Sequence, residues 1–239
     1  MTGPKTAGLN RAHWDLRSEP TTEVRMRTSP MYAPHIRVGA DGTRPAPGAG
    51  QNTMLMPPGV YTIKLSAAGK ELTQSLTVRK DPNSGGTDED IAAQTRMLVD
   101  LRNHLNTAAD MVILIESVRS QIEGLDRVSA DPAIKKAAEE VNSQLMAVEM
   151  NLIDLRITGG QDGVRYASKL IGKLNYLANG LASGDFKPTD QQVEVQKLIE
   201  GQLKDLRSQV EGLRTRIASG FNDQLKNKNL PIIVVPAPK

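Results

Sequence analysis

The sequence predicts an α+β chain that is mainly helical, an antiparallel four-helix bundle or a long coiled-coil hairpin preceded by a small β-module. Three observations carry this. Between residues 87 and 227, apolar side chains recur at alternating spacings of three and four, the seam of nearly aligned helices. Residues 1–82 lack that period, are rich in Gly and Pro, and alternate apolar and polar at 60–65. The chain is 38% apolar but only 3% aromatic, so its core is built from Leu, Ile, Val and Ala. The expected division is a partial β-module over 1–82, a linker at 83–86, the helices over 87–227 and a tail over 228–239.

In chain order, residues 12–16 are a strand candidate, with Trp14 and Leu16 on one face and His13 and Asp15 on the other. Trp14 is expected to anchor a small sandwich core. Residues 18–53 hold several prolines and the cluster PAPGAG at 45–50, and predict an extended surface loop with a short strand at 35–38. A hairpin follows. Tyr61, Ile63 and Leu65 share one face of its first strand, residues 67–70 make the connection, and 71–78 return with Leu72, Leu76 and Val78. Two or three strands bury too little to stand alone, so this module needs more strands or a surface to pack on.

The first helix is predicted from Thr87, its N-cap, to Leu125, with Asp88, Glu89 and Asp90 favourably placed in the first turn. Its stripe includes Leu98, Leu101, Leu105, Val112, Ile115, Val118 and Ile122. Asp131 caps a second helix that has Pro132 at its first position and runs through Leu155 to the stop at Gly159 and Gly160. A third is expected over 164–182 with Ala167, Leu170, Leu174, Leu177 and Leu181 inward. Thr189 and Gln192 form a capping box for a fourth, whose inward residues run from Val195 through Ile199, Leu203 and Val210 to Phe221. Short connections make successive helices antiparallel neighbours. In the tail, four consecutive β-branched residues at 232–235, flanked by Pro231 and Pro236, predict one short strand.

Site chemistry is absent from the sequence pattern: no catalytic, cofactor-binding or metal-ligating residue is assigned. Zero cysteines exclude disulfides, thiolate ligands and Cys nucleophiles. His13, His35 and His104 lack ligand spacing, and His104 falls beside the seam. The glycine-rich stretch 159–163 has neither the preceding strand nor the Gly-Lys-Ser/Thr of a phosphate loop, and reads as a helix stop and turn in which Asp162 caps the third helix. Glu116, Glu139 and Glu140 are read as solvated charges on outward helix faces, and Met146 and Met150 as core filler. A net charge of +3, with basic and acidic residues interleaved, does not predict a nucleic-acid partner. No apolar run approaches a membrane span, and residues 1–20 lack the apolar core of a signal peptide.

The strings GLNRAHWDLR at 8–17, PPGVYTIKL at 57–65 and LTVRKDP at 76–82 resemble the carboxy-terminal region of bacterial sortilin-like, BNR-repeat β-propeller proteins. So do GQDG at 160–163, KLIGKL at 169–174, KPTD at 187–190 and the pair Phe221 and Asn222. Such proteins are secreted and often labelled glycosyl hydrolases. Their propeller is followed by an immunoglobulin-like β-sandwich and a helical segment. The resemblance implies that residues 1–82 are an incomplete immunoglobulin-like sandwich whose first strands lie upstream. It also implies an extracellular or periplasmic location and a chain that is the tail of such a protein. Gly163-Val164-Arg165-Tyr166-Ala167 lacks the proline the family carries after the tyrosine, and no Ser-x-Asp-x-Gly repeat of a propeller occurs. The expected function is therefore a non-catalytic structural or interaction module without a cofactor, with a protein partner or a second copy, and with glycan only by family analogy. The alternatives are an accessory domain of a glycosidase-like propeller enzyme, and a self-assembling subunit that uses strand addition at an open edge or through the apolar tail.

Overall fold

The computed structural model describes residues 2–125 and 127–236, so residues 237–239 of the expected tail lie outside the described residues. The chain is α+β and dominated by helix. Its elements are β1 (Arg25–Met26), β2 (Arg44–Pro45), β3 (Gly59–Ala67), β4 (Lys70–Val78), α1 (Asp88–Leu125), α2 (Pro132–Leu152), α3 (Leu170–Leu181), α4 (Asp190–Arg216) and α5 (Asn222–Asn227). A π-helical turn, Ile217–Phe221, joins α4 to α5.

α1 is the central element. It packs against α2, α3 and α4, and α4 also meets α2 and α3. Its 38 residues span about 57 Å at 1.5 Å per residue. The Thr87 hydroxyl accepts from the Asp90 N–H at 3.1 Å, and the Asp90 carboxylate accepts from the Thr87 N–H at 3.0 Å, which ties down the first turn. Because three helices surround α1, its buried face is wider than one seam and takes in Met97, Ala109, Met111, Leu114, Glu116 and Arg119 beside the predicted stripe. Asp131 caps α2 by accepting from the Ala133 N–H at 2.9 Å. The Thr189–Gln192 box opens α4 as expected, at 2.9 and 3.2 Å.

The third helix starts later than predicted. Residues 160–164 form a short 3-10 turn, and α3 begins only at Leu170. Asp162 caps that turn rather than α3: its carboxylate accepts from the Thr158 N–H at 2.7 Å and the Gly159 N–H at 3.1 Å. Ala167 lies before α3 and is exposed, not inward. In α4, Val195 is also exposed, because it faces an open cleft beside α3 rather than the core.

The β-region differs more. Residues 12–16 form no strand, and neither do 35–38. Arg17 instead makes a single antiparallel bridge to Leu55. Among the described residues, β1 pairs only with β2, and β3 only with β4. Trp14 does not fill a sandwich core. Its ring packs edge-on against Tyr61 at 5.5 Å between centroids. β3 and β4 pair from Gly59 with Val78 to Ala67 with Lys70, closed by Ala68 and Gly69, both at positive φ, the signature of a two-residue hairpin turn.

Residues 18–56 are not a loop looking for a sandwich. They wrap the helices. Val24, Met26, Ala49 and Met54 are buried in the same core as the helical leucines. The wrap's backbone is satisfied partly within itself, as where Ser18 pairs with Met54 and Thr21 with Asn52, and partly by helix side chains, which is how so long a segment without regular structure persists in a packed interior. The Thr22 N–H donates to Asn106 Oδ1 at 2.8 Å, and Asn175 Nδ2 donates to the Gly50 carbonyl at 2.8 Å. The Met31 N–H donates to the Leu155 carbonyl at 3.1 Å.

Candidate interaction surface

One cluster of polar and charged side chains lies inside the molecule. Glu116, read from sequence as an outward charge, is fully buried. Its carboxylate accepts from the backbone N–H groups of Arg27 and Thr28 and from the Thr28 hydroxyl, the last two at 2.8 Å. Arg119, one turn on, donates to Glu116 Oε1 at 2.8 Å, to Glu149 Oε2 of α2 at 2.7 Å and to Asn142 Oδ1 at 3.1 Å. Arg44, also buried, donates to the Thr28 carbonyl at 2.7 Å. The cluster fastens the wrap to α1 and α1 to α2. Burial, reinforced by the nearby Glu116, holds the Glu149 carboxyl well above its ordinary value. Partial desolvation raises the more exposed Glu123 in the same direction, with Arg119 opposing. The cluster is closed off from solvent, and Glu149 Oε1 is left in it without a hydrogen-bond partner. Its work is structural.

A second polar device holds the tail. The predicted strand at 232–235 pairs with no other strand. It lies extended against the helices, and Ile233 is buried. Asn222 brackets Ile233: its Oδ1 accepts from the Ile233 N–H at 2.8 Å, and its Nδ2 donates to the Ile233 carbonyl at 2.9 Å. Gln121 of α1 does the same for Val234, at 2.8 and 2.9 Å. Two amide side chains thus replace the neighbouring strand. The π turn inserts one extra residue, which rotates the following face by roughly 100° and carries Asn222 inward. Sequence periodicity read through this turn as one continuous helix.

Among the exposed apolar residues, two groups stand together. On the hairpin, Ile63, Leu65 and Leu72 share one face and are 49%, 57% and 67% exposed. Between α3 and α4, Tyr176, Leu177, Val195, Leu198 and Ile199 line an open cleft of about 590 Å³. Here Tyr176 and Leu198 are exposed.

His13 and His35 are exposed and His104 is half-buried, and the structure does not bring the three together. Among the described residues, no group of three or more His, Cys, Asp or Glu side chains is arranged to hold a metal ion. No helix there is long and apolar enough to cross a membrane. Comparison with family models, with curated proteins and with solved structures gave no match.

The buried cluster was missed from sequence. Its signal was present in the pair Glu116 and Arg119, three residues apart and flanked by Ile115 and Val118 on the inner face.

Proposed function

We propose that this chain is a non-catalytic structural or interaction module, the tail of a secreted β-propeller protein. What carries the reading is where the two kinds of chemistry lie. The buried ionic groups, Glu116, Arg119 and Glu149, are consumed in holding the wrap and helices together. The apolar groups left over, Ile63, Leu65 and Leu72, face outward on a two-stranded hairpin. An enzyme site concentrates perturbed ionisable groups in an accessible cleft, whereas a docking module exposes apolar surface on a rigid support. On this reading the hairpin belongs to an immunoglobulin-like layer, and the helices form an antiparallel bundle that serves as its support. An extracellular or periplasmic location follows from the sequence resemblance. The same resemblance makes a glycan contact a property of the propeller rather than of this chain.

Purified chain incubated with a panel of aryl glycosides and aryl esters should show no turnover above buffer. Saturable turnover would overturn the non-catalytic reading. The upstream coding sequence tests the placement. A propeller with Asp-box repeats supports it, and an unrelated upstream domain removes it.

A further inference from the structure

The hairpin has a free hydrogen-bonding edge whose residues complement themselves. Resting on the reading of the chain as an interaction module, we propose that the occupant of this edge is a second copy of the same chain. The two copies join β4 to β4 antiparallel about a twofold axis at Ser75, giving a continuous four-stranded sheet.

The geometry follows from the register. A two-residue turn makes Ala67 and Lys70 a hydrogen-bonded pair, and alternation extends this to Leu65 with Leu72, Ile63 with Gln74 and Tyr61 with Leu76. The N–H and C=O groups of Glu71, Thr73, Ser75 and Thr77 therefore point away from β3. Among the described residues no other strand pairs with β4. Natural edges are commonly blunted by proline, a bulge or a central lysine. β4 has none of these: it reads KELTQSLTV and pairs without interruption, whereas β3 carries Lys64 near its middle.

A twofold axis at Ser75 sets Thr73 opposite Thr77 of the second copy, and Glu71 opposite its Arg79. The charge pair forms twice by symmetry between exposed side chains: Glu71, held by Lys64 at 2.8 Å in the single chain, exchanges or shares that partner with Arg79, while Lys70 and Lys80, also opposed in this register, are like charges that must splay into solvent. On the other face the same register sets Leu72, 67% exposed in the single chain, beside Val78 of the second copy. Moving the axis by two residues in either direction loses the charge pair. The joined sheet has four strands and brings the Ile63, Leu65, Leu72 patches of both copies onto one face, interrupted by Gln74, which goes toward the strand number that an isolated two-stranded hairpin lacks.

The test uses the absence of any native cysteine. Ser75 opposes itself across the axis at a hydrogen-bonded site, where the Cα separation of about 5.5 Å lies inside the range a disulfide spans. Mild oxidation of the full-length Ser75→Cys variant should give a covalent dimer, while Ser208→Cys on the exposed face of α4 should form no covalent cross-link. Thr73→Cys and Thr77→Cys should each cross-link poorly alone and efficiently when mixed. By light scattering, wild type should be dimeric. Arg79→Glu should weaken the dimer about tenfold, with Glu71→Lys added to it restoring the association. A wild-type monomer at all concentrations overturns the proposal and leaves the non-catalytic reading to the turnover assay. A wild-type dimer in which Ser75→Cys cross-links no better than Ser208→Cys overturns this edge and register while the interaction reading stands.

Discussion

Arg119 Nη1 lies 2.7 Å from Glu149 Oε2, and this contact joins α1 to α2 where the two side chains are 6% and 0% exposed. Removing the cation alone leaves Glu116 and Glu149 buried together without compensation. Arg119→Met should therefore cost about 3–5 kcal/mol or prevent folding. Glu149→Gln keeps an acceptor for Arg119 and removes one buried charge, so it should be neutral or stabilising at neutral pH. Urea unfolding of the two variants checks the order. Equal destabilisation by both would show that Glu149 is needed as an anion.

The same carboxyl fixes a pH dependence. Its folded-state pKa is raised above the unfolded value near 4.5, first by burial and then by Glu116, with Arg119 opposing. Arg44 also faces this cluster, and Glu123 borders it. A raised carboxyl contributes stability that is complete below about pH 4.5 and is lost as pH rises through its folded pKa. Asp41 acts in the opposite sense. The Thr43 hydroxyl and N–H, followed by Arg25, hold it at about 2, so its contribution is present above 3.8 and lost on acidification through the folded value. Unfolding free energy should thus decline from mildly acidic toward neutral pH, and Glu149→Gln should flatten that decline. A decline of equal slope in the variant would assign it elsewhere.

Bracketing of the tail gives a graded expectation. Asn222→Ala strips both backbone partners from Ile233, which is buried, while Gln121→Ala strips them from Val234, which is exposed to water. Asn222→Ala should cost about 1–3 kcal/mol and Gln121→Ala clearly less. Hydrogen exchange of the Ile233 amide should accelerate in the first variant and not in the second. The reverse order would mean that the α1 side of the bracket carries the tail.

Two glycines should respond oppositely. A Cβ on Gly86 would overlap the Asp185 carbonyl oxygen, backbone against backbone, just before α1 begins. Gly201 sits inside α4 with open space around its Cβ position. Gly86→Ala should lose about 1–3 kcal/mol through overpacking, and Gly201→Ala should gain about 1 kcal/mol from helix propensity. Thermal melts of both variants test this. A neutral Gly86→Ala would show that residues 184–186 yield easily.

The helices were legible because a helix face repeats every turn. Thr87, Asp131 and Thr189 marked the starts of α1, α2 and α4, and Leu125 closed α1 as read. The hairpin was legible because Tyr61, Ile63 and Leu65 alternate. Leu170 as the true start of α3 was harder to see, since residues 164–169 carry helix-compatible residues but lie in a turn segment tied to Asp154 and Arg156. There the Arg156 guanidinium sits 4.2 Å over the Tyr166 ring.

Sequence by itself determined the local elements, their caps and the apolar stripe that packs them, because these depend on neighbours a few residues apart. Only the tertiary structure decided that residues 18–56 wrap the helices, that Glu116 faces inward and that residues 232–235 lie on Asn222 and Gln121 instead of on a strand. Each of these joins groups far apart in the chain, 88 residues in the case of Thr28 and Glu116. The physical reason is that a buried polar group needs a partner somewhere in the fold, and nothing in local periodicity says where that partner stands.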